Sequence, residues 1–161
     1  MKQATLCYLI KEGKICIGLK KRGFGKDRWN GFGGKVEENE TLEESLTREV
    51  VEETGVSIKN PKKVAEIKFY FPLVPKEKEW DMVVHVYFAV DWIGEPTEGE
   101  EMKPQWFNLN EIPYGQMWDD DRVWLPIALG GQKLKAAFSF DENEKIGTQE
   151  VILVGDFDEG N

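Results

Sequence analysis

The sequence predicts an α+β sandwich, a β-sheet flanked by helices. Three observations carry that expectation. Residues 4–10, 15–20, 62–71 and 82–91 are short apolar or alternating runs of strand length. Residues 41–54 and 117–129 have apolar residues at helical spacing. Glycine and proline punctuate the stretches between them.

The first two strands flank Glu12-Gly13. A two-residue turn there sets Leu6 opposite Leu19, Tyr8 opposite Ile17 and Ile10 opposite Ile15, so one face is wholly apolar. The other face carries Thr5 opposite Lys20 and Cys7 opposite Gly18, a small polar floor suited to a ligand. Cys7 and Cys16 are diagonal on that face and are not expected to bond.

Residues 20–35, KKRGFGKDRWNGFGGK, form a glycine-rich loop with basic and aromatic side chains, of the kind whose backbone approaches a ligand closely. Gly33 there can offer a carbonyl to a metal, Lys35 can meet phosphate, and the Asn30 amide can donate to or accept from a base edge.

The next stretch, 34–56, contains a helix bounded at both ends. Thr41 and Glu44 make a capping box, Leu42, Leu46 and Val50 give the buried stripe, and Gly55 supplies the stop. Glu49, Glu52 and Glu53 sit three and four residues apart, near the negative end of the helix dipole. Their mutual repulsion and the dipole both disfavour that placement. A divalent cation reverses the sign of each term, and carboxylate oxygens suit Mg²⁺.

Beyond the helix, 62–71 and 82–91 are strands, with His85 in the second assigned a structural role because no cysteine or serine nucleophile partners it. Residues 92–103 are expected as a loop, 106–107 as a short strand, 117–129 as a second helix, and 136–140 and 150–154 as the last strands. That gives about seven strands and two helices.

Composition narrows the function classes. The chain has 161 residues, 40% of them hydrophobic, and no linker, so residues 1–161 are expected to form one domain. Its net charge of −9 disfavours a nucleic-acid polymer as partner. Two cysteines and one histidine make neither a disulfide framework nor a zinc site. No signal peptide or membrane span is evident, so a cytoplasmic protein with no membrane partner is expected.

Gly34, Glu40, Arg48, Glu49, Val50, Glu52, Glu53, Gly55 and Val56 fit the pattern Gx5Ex7REUxEExGU, with U apolar, at every specified position. The chain therefore resembles a Nudix hydrolase, with residues 34–56 as its Nudix box. The segments KKRGF, RWNGFGGKV, EMKPQWF and MWDDDRVW extend the resemblance to the animal-type, MutT-like oxidised purine nucleoside triphosphate hydrolases, from about Thr5 to about Phe140.

The resemblance implies a Nudix fold, a mixed sheet sandwiched between helices. It implies Mg²⁺-dependent hydrolysis of 8-oxo-dGTP and 2-hydroxy-dATP to monophosphate and pyrophosphate, with Mn²⁺ able to substitute, by a monomer. Glu49, Glu52, Glu53 and Glu101 with the Gly33 carbonyl are the implied metal ligands. Glu53 and Glu101 are the candidate bases, and Arg48 and Glu40 orient the acidic residues. Thr5, Lys20 and Asn30 contact the nucleotide, while Trp118, Asp120 and Asp121 read the base. Phe24, Phe32, Gly33, Gly34, Lys35, Phe69 and Asp119 complete the expected substrate-binding set.

Phe71, Met82 and Met102 are expected to line the pocket with Phe24 and Phe69. Asp119 stands where that family has proline, and 72–81 is longer than its counterpart. The alternatives are a Nudix hydrolase of ordinary or methylated purine nucleotides or nucleotide sugars, or a non-catalytic Nudix-fold binding module. Retention of every box carboxylate weighs against the last.

Overall fold

The computed structural model describes residues 1–157. Its strands are β1 (Lys2–Lys11), β2 (Lys14–Lys20), β3 (Trp29–Asn30), β4 (Phe32–Lys35), β5 (Ser57–Lys59), β6 (Lys62–Tyr70), β7 (Met82–Ala89), β8 (Asp91–Ile93), β9 (Met102–Asn108), β10 (Lys133–Phe140) and β11 (Ile146–Val154). The helices are α1 (Leu42–Thr54) and α2 (Asp121–Leu129). Nine strands form one mixed sheet in the order β11-β10-β6-β7-β1-β2-β3, with β4 also on β1 and β9 also on β2; β5 and β8 pair apart.

The β1–β2 hairpin has the expected register at its turn, where Ile10 faces Ile15 and Lys11 faces Lys14. Glu12 and Gly13 both have positive φ, 53° and 76°, as a hairpin turn matched to strand twist requires. Past Leu9 the strands part. Residues 29–35 wedge between them: β4 pairs with β1, setting Thr5 opposite Gly34, and β3 pairs with β2, setting Gly18 opposite Asn30. Thr5 and Lys20 are therefore not cross-strand partners. Glycine makes the wedge possible, since a Cβ on Gly33 would lie 1.8 Å from the Thr5 carbonyl oxygen.

Each face of the sheet has its own core. Tyr8, Ile15, Ile17, Ile67 and Val86 pack with Trp124, Leu125 and Ala128 of α2. Cys7, Leu9, Cys16 and Phe32 pack with Leu46 and Val50 of α1. The Cys7 side of the hairpin is thus a second hydrophobic core and not a polar ligand floor, because α1 folds back over it. Both cysteines are buried and free.

α1 begins and ends as its sequence dictates. Glu44 N–H donates to Thr41 Oγ1 at 3.1 Å, Thr41 N–H donates to Glu44 Oε1 at 2.8 Å, and Gly55 closes the helix with φ 78°. α2 starts four residues later than expected. Asp121 N–H bonds the Trp118 carbonyl in a turn, and Asp119 is drawn away to accept from Ile146 N–H at 2.9 Å. Residues 92–103 are not wholly loop, since the end of β8 and the start of β9 fall within them. Among the described residues no helix is long and apolar enough to cross a membrane.

Candidate active site

α1 presents its carboxylates along one side, and Arg48 ties them together. Its Nε donates to Glu40 Oε2 at 2.6 Å and its Nη2 to Glu40 Oε1 at 3.0 Å, a two-pronged pair. Its Nη1 reaches Glu49 Oε1 at 2.8 Å and Glu52 Oε2 at 3.3 Å. The guanidinium, with the Glu37 N–H, holds the Glu40 carboxyl down at about 2. Glu49 moves the other way: burial raises its carboxyl although Arg48 opposes that.

Glu53 sits deepest, only 8% exposed, and accepts from Gly33 N–H at 2.8 Å. Burial pushes its carboxyl up to about 8, against that N–H bond and with help from the Glu49 charge. Gly34 lies against Glu49 so closely that a Cβ would come within 2.5 Å of a carboxylate oxygen. The β1 backbone requires glycine at 33, while a side chain at 34 would push the Glu49 carboxylate from its place.

Beside Glu53 opens a cavity of about 200 Å³ on the α2 face of the sheet. Lys20, Asn30, Trp118, Asp120 and Asp121 all border it, and so do Phe24, Phe69, Phe71, Met82 and Met102. Phe24 and Arg28 lie against Trp118. Phe24 stacks on it with centroids 5.2 Å apart, and the Arg28 guanidinium lies 4.0 Å from its ring. Arg28 in turn pairs with Glu144 at 2.6 Å. Trp80, from the long 72–81 segment, packs edge-on against both Phe24 and Phe71.

Asp120 and Asp121 are 2% and 3% exposed. Asp120 Oδ2 accepts from Trp124 Nε1–H at 2.7 Å, while Asp120 Oδ1 and Asp121 Oδ2 are buried with no protein partner. Burial raises both carboxyls, Asp120 to about 7 and Asp121 further, because the neighbouring Asp120 charge adds to it. Two adjacent acids in so dry a place do not both ionise easily, so the pair can offer a proton and an acceptor side by side.

Other expected site residues lie elsewhere. Phe32 is fully buried in the α1 core, because β4 turns it away from the cavity. Asp119 is a structural tie: its two oxygens accept from Arg122 Nε and Ile146 N–H, which holds the β10–β11 turn to the start of α2. Lys35 is exposed beside Lys2, whose ammonium depresses its pKa, and does not border the cavity. Thr5 borders the cavity, yet its hydroxyl is 3.5 Å from Ser45 Oγ under α1. Glu101 is half exposed outside the cavity, paired with Lys20 at 3.3 Å and Arg22 at 3.7 Å. His85 is structural, bonded through Nε2 to Gln3 Oε1 at 2.6 Å. Trp124 is a polar partner that the sequence reading missed, although its place four residues after Asp120 on a helix was a usable signal.

The donor set fits a hard divalent cation in kind, being carboxylate oxygens, and burial drives two of the carboxyls, Glu49 and Glu53, away from their charged forms. As placed, they do not converge: among the described residues no three acidic or histidine side chains are spaced as ready metal ligands. Glu49 and Glu52 lean on Arg48, Glu53 on Gly33 N–H, and Glu101 on Lys20.

A two-helix sandwich carrying a capped acidic helix beside a glycine-rich strand is the Nudix arrangement. Residues 2–126 match the NUDIX domain, and the chain belongs to the Nudix hydrolase family, whose members generally use a divalent metal. It is 44% identical over 153 residues to the mouse protein named oxidized purine nucleoside triphosphate hydrolase, covering 95% of this chain and 96% of that one. A Danio rerio protein of the same name is 41% identical over 155 residues, covering 96% and 97%. The mutator MutT protein of Bacillus halodurans superposes with a TM-score of 0.80 at 21% identity, over 94% of this chain and 97% of that one, which speaks to the fold alone.

Proposed function

We propose that this chain hydrolyses oxidised purine nucleoside triphosphates, 8-oxo-dGTP and 2-hydroxy-dATP, to monophosphate and pyrophosphate with Mg²⁺ or Mn²⁺. On this reading residues 1–161 are one domain that works as a cytoplasmic monomer on a small nucleotide. It engages neither nucleic-acid polymer nor membrane. The observation that carries the base preference is the pair of partnerless oxygens on buried Asp120 and Asp121 beside the largely apolar cavity they border. A buried polar atom left unpaired costs roughly 1–3 kcal/mol, which a ligand with matching groups recovers.

The division of labour follows from position. Trp118, Phe24 and Phe69 give flat apolar surface for a purine, and the aspartate pair donates one hydrogen bond and accepts another. Lys20 and Glu53 border the cavity, and the triphosphate is assigned to that end, toward the other box carboxylates. Glu49, Glu52 and Glu53 with the Gly33 carbonyl would hold Mg²⁺, which when bound offsets polyphosphate charge and acidifies water. Arg48 orients Glu49 and Glu52, and Glu40 fixes Arg48.

Of the two candidate bases Glu53 is the better situated, since it borders the cavity and Glu101 does not. The two close relatives that carry the oxidised-purine name support the substrate class. Steady-state hydrolysis of 8-oxo-dGTP, 2-hydroxy-dATP, dGTP and dATP, with pyrophosphate and orthophosphate assayed separately, tests it. The expected result is a strong preference for the oxidised purines with pyrophosphate released. Equal turnover of dGTP and dATP would remove the role given to Trp118, Asp120 and Asp121.

A further inference from the structure

Tyr8 is fully buried against Asn30 and Trp124, two residues that border the base cavity. Its ring is held edge-on by Phe88 and Trp124, each at 6.0 Å between centroids. Its hydroxyl donates to Asn30 Oδ1 at 3.3 Å. The same oxygen accepts from Gly31 N–H at 2.9 Å. Gly31 packs so tightly on this spot that a Cβ would lie 3.0 Å from Tyr8 Cζ and 2.8 Å from the Cys7 carbonyl oxygen.

An asparagine amide has two ends of opposite hydrogen-bonding sense, and a half-turn about its last torsion exchanges them. Here that freedom is removed. Two donors, one from the backbone and one from a buried phenol, meet at Oδ1. A half-turn would set the NH₂ against the Gly31 N–H and lose that bond, while the Tyr8 oxygen could only accept from Nδ2 and its buried O–H would need another acceptor. Burial and the nearby Asp121 and Asp120 charges hold the Tyr8 hydroxyl well above its usual range, so it remains a donor across the working pH range.

We propose that Tyr8 is a specificity-determining positioning residue: with Gly31 N–H it fixes the Asn30 amide so that this wall offers the base only the two Nδ2 donors. The inference rests on the base-pocket reading above and deepens it. The cavity then has a defined donor and acceptor map. Asn30 donates, and the aspartate pair supplies acceptors and one shared proton. A purine whose edge toward Asn30 carries a ring nitrogen or carbonyl is accepted. One that presents an exocyclic amino group there meets a donor with a donor and is rejected, because an unmatched buried pair is where polar discrimination is largest. Tyr8 touches no reacting atom; it acts through Asn30.

The test compares kcat and KM for 8-oxo-dGTP and 2-hydroxy-dATP, whose edges differ in donor order, in wild type, Tyr8→Phe, Asn30→Ala and the double variant. Tyr8→Phe keeps the ring and its packing. The expected result is a change of about 3- to 10-fold in the ratio of the two kcat/KM values, carried by KM with kcat retained. In the Asn30→Ala background the same change should have no effect on that ratio. A Tyr8→Phe ratio equal to wild type, while Asn30→Ala shifts it, overturns the proposal and leaves the base pocket standing. An equal shift in both backgrounds overturns it too, since Tyr8 would then act by packing.

Wild type without preference for oxidised purines would instead defeat the base-pocket reading. Asn30→Asp leaves Tyr8 in place and guards against an unstable phenylalanine variant. It replaces the two donors by an acceptor and should lose at least as much kcat/KM as Asn30→Ala. Retained activity in Asn30→Asp would overturn the donor-only assignment.

Discussion

Asp120 and Asp121 hold protons in the folded chain that they give up when unfolded. Their carboxyls are raised by burial from an ordinary value near 3.8. The native state therefore binds more protons than the unfolded state above that value, and their contribution to stability is fullest at low pH and is lost as pH rises through about 7 and beyond. Asp120→Asn should remove much of this penalty and raise stability at pH 7.5 by about 1–3 kcal/mol. It should also lower kcat/KM for 8-oxo-dGTP about 100-fold. A thermal melt at pH 5.5 and 7.5 beside the kinetics checks both, and the gain should be larger at the higher pH. The roles of these two acids were legible in the sequence only through the resemblance. Trp124 on Asp120, a local pair four residues apart on a helix, was within reach of the sequence. Tyr8 on Asn30 was not, because side-chain partners across a sheet follow from the packing of distant elements. Phe32 was misread for a related reason: in FGGK nothing local says which way the strand faces, and α1 decides it.

α1 is the element that could be read most completely, since cap, buried stripe and stop are all local. Thr41→Ala removes one half of the capping box and should cost about 1 kcal/mol, a fall of about 2–4 °C in melting temperature, with KM unchanged. β3 and β4 escaped the sequence because their strand state comes from the open edges of β1 and β2 and not from any alternation of their own. β5 and β8 are three residues each, too short for a pattern to declare itself. The β10–β11 turn lies beyond the matched NUDIX residues and yet fixes the base wall twice, through Glu144 on Arg28 and through Ile146 on Asp119. Glu144→Gln should loosen Arg28 from Trp118, raising KM for the oxidised purine about 3- to 5-fold with kcat retained. The emission maximum of Trp118, read in a chain where the other tryptophans are phenylalanine, should shift to longer wavelength. An unshifted spectrum with unchanged KM would mean that the turn does not act on the ring.

Across the whole molecule a net charge of −9 is tolerated because the acids are sorted. Most are exposed, while Glu49 and Glu53 are drawn inward, where burial raises both carboxyls and the Glu101 charge adds to each. That local instability is the expected signature of a site completed by a cation. For Glu53, raised to about 8 from an ordinary 4.5, the stability it contributes is greatest at low pH and lost as pH rises toward 8. Glu53→Gln should accordingly raise the melting temperature of the metal-free chain at pH 7.5 by about 3–6 °C, or roughly 1–2 kcal/mol. Mg²⁺ at about 100 times its dissociation constant should stabilise wild type by about 2.7 kcal/mol. The same addition should do little for Glu53→Gln, whose turnover should fall at least 100-fold. Chelation with EDTA should abolish wild-type turnover and Mg²⁺ restore it. The two melting curves should therefore cross: the variant is the more stable chain without Mg²⁺ and the less stable with it. Parallel curves at every Mg²⁺ concentration would show that Glu53 is an ordinary buried acid and that the cation is held by other groups.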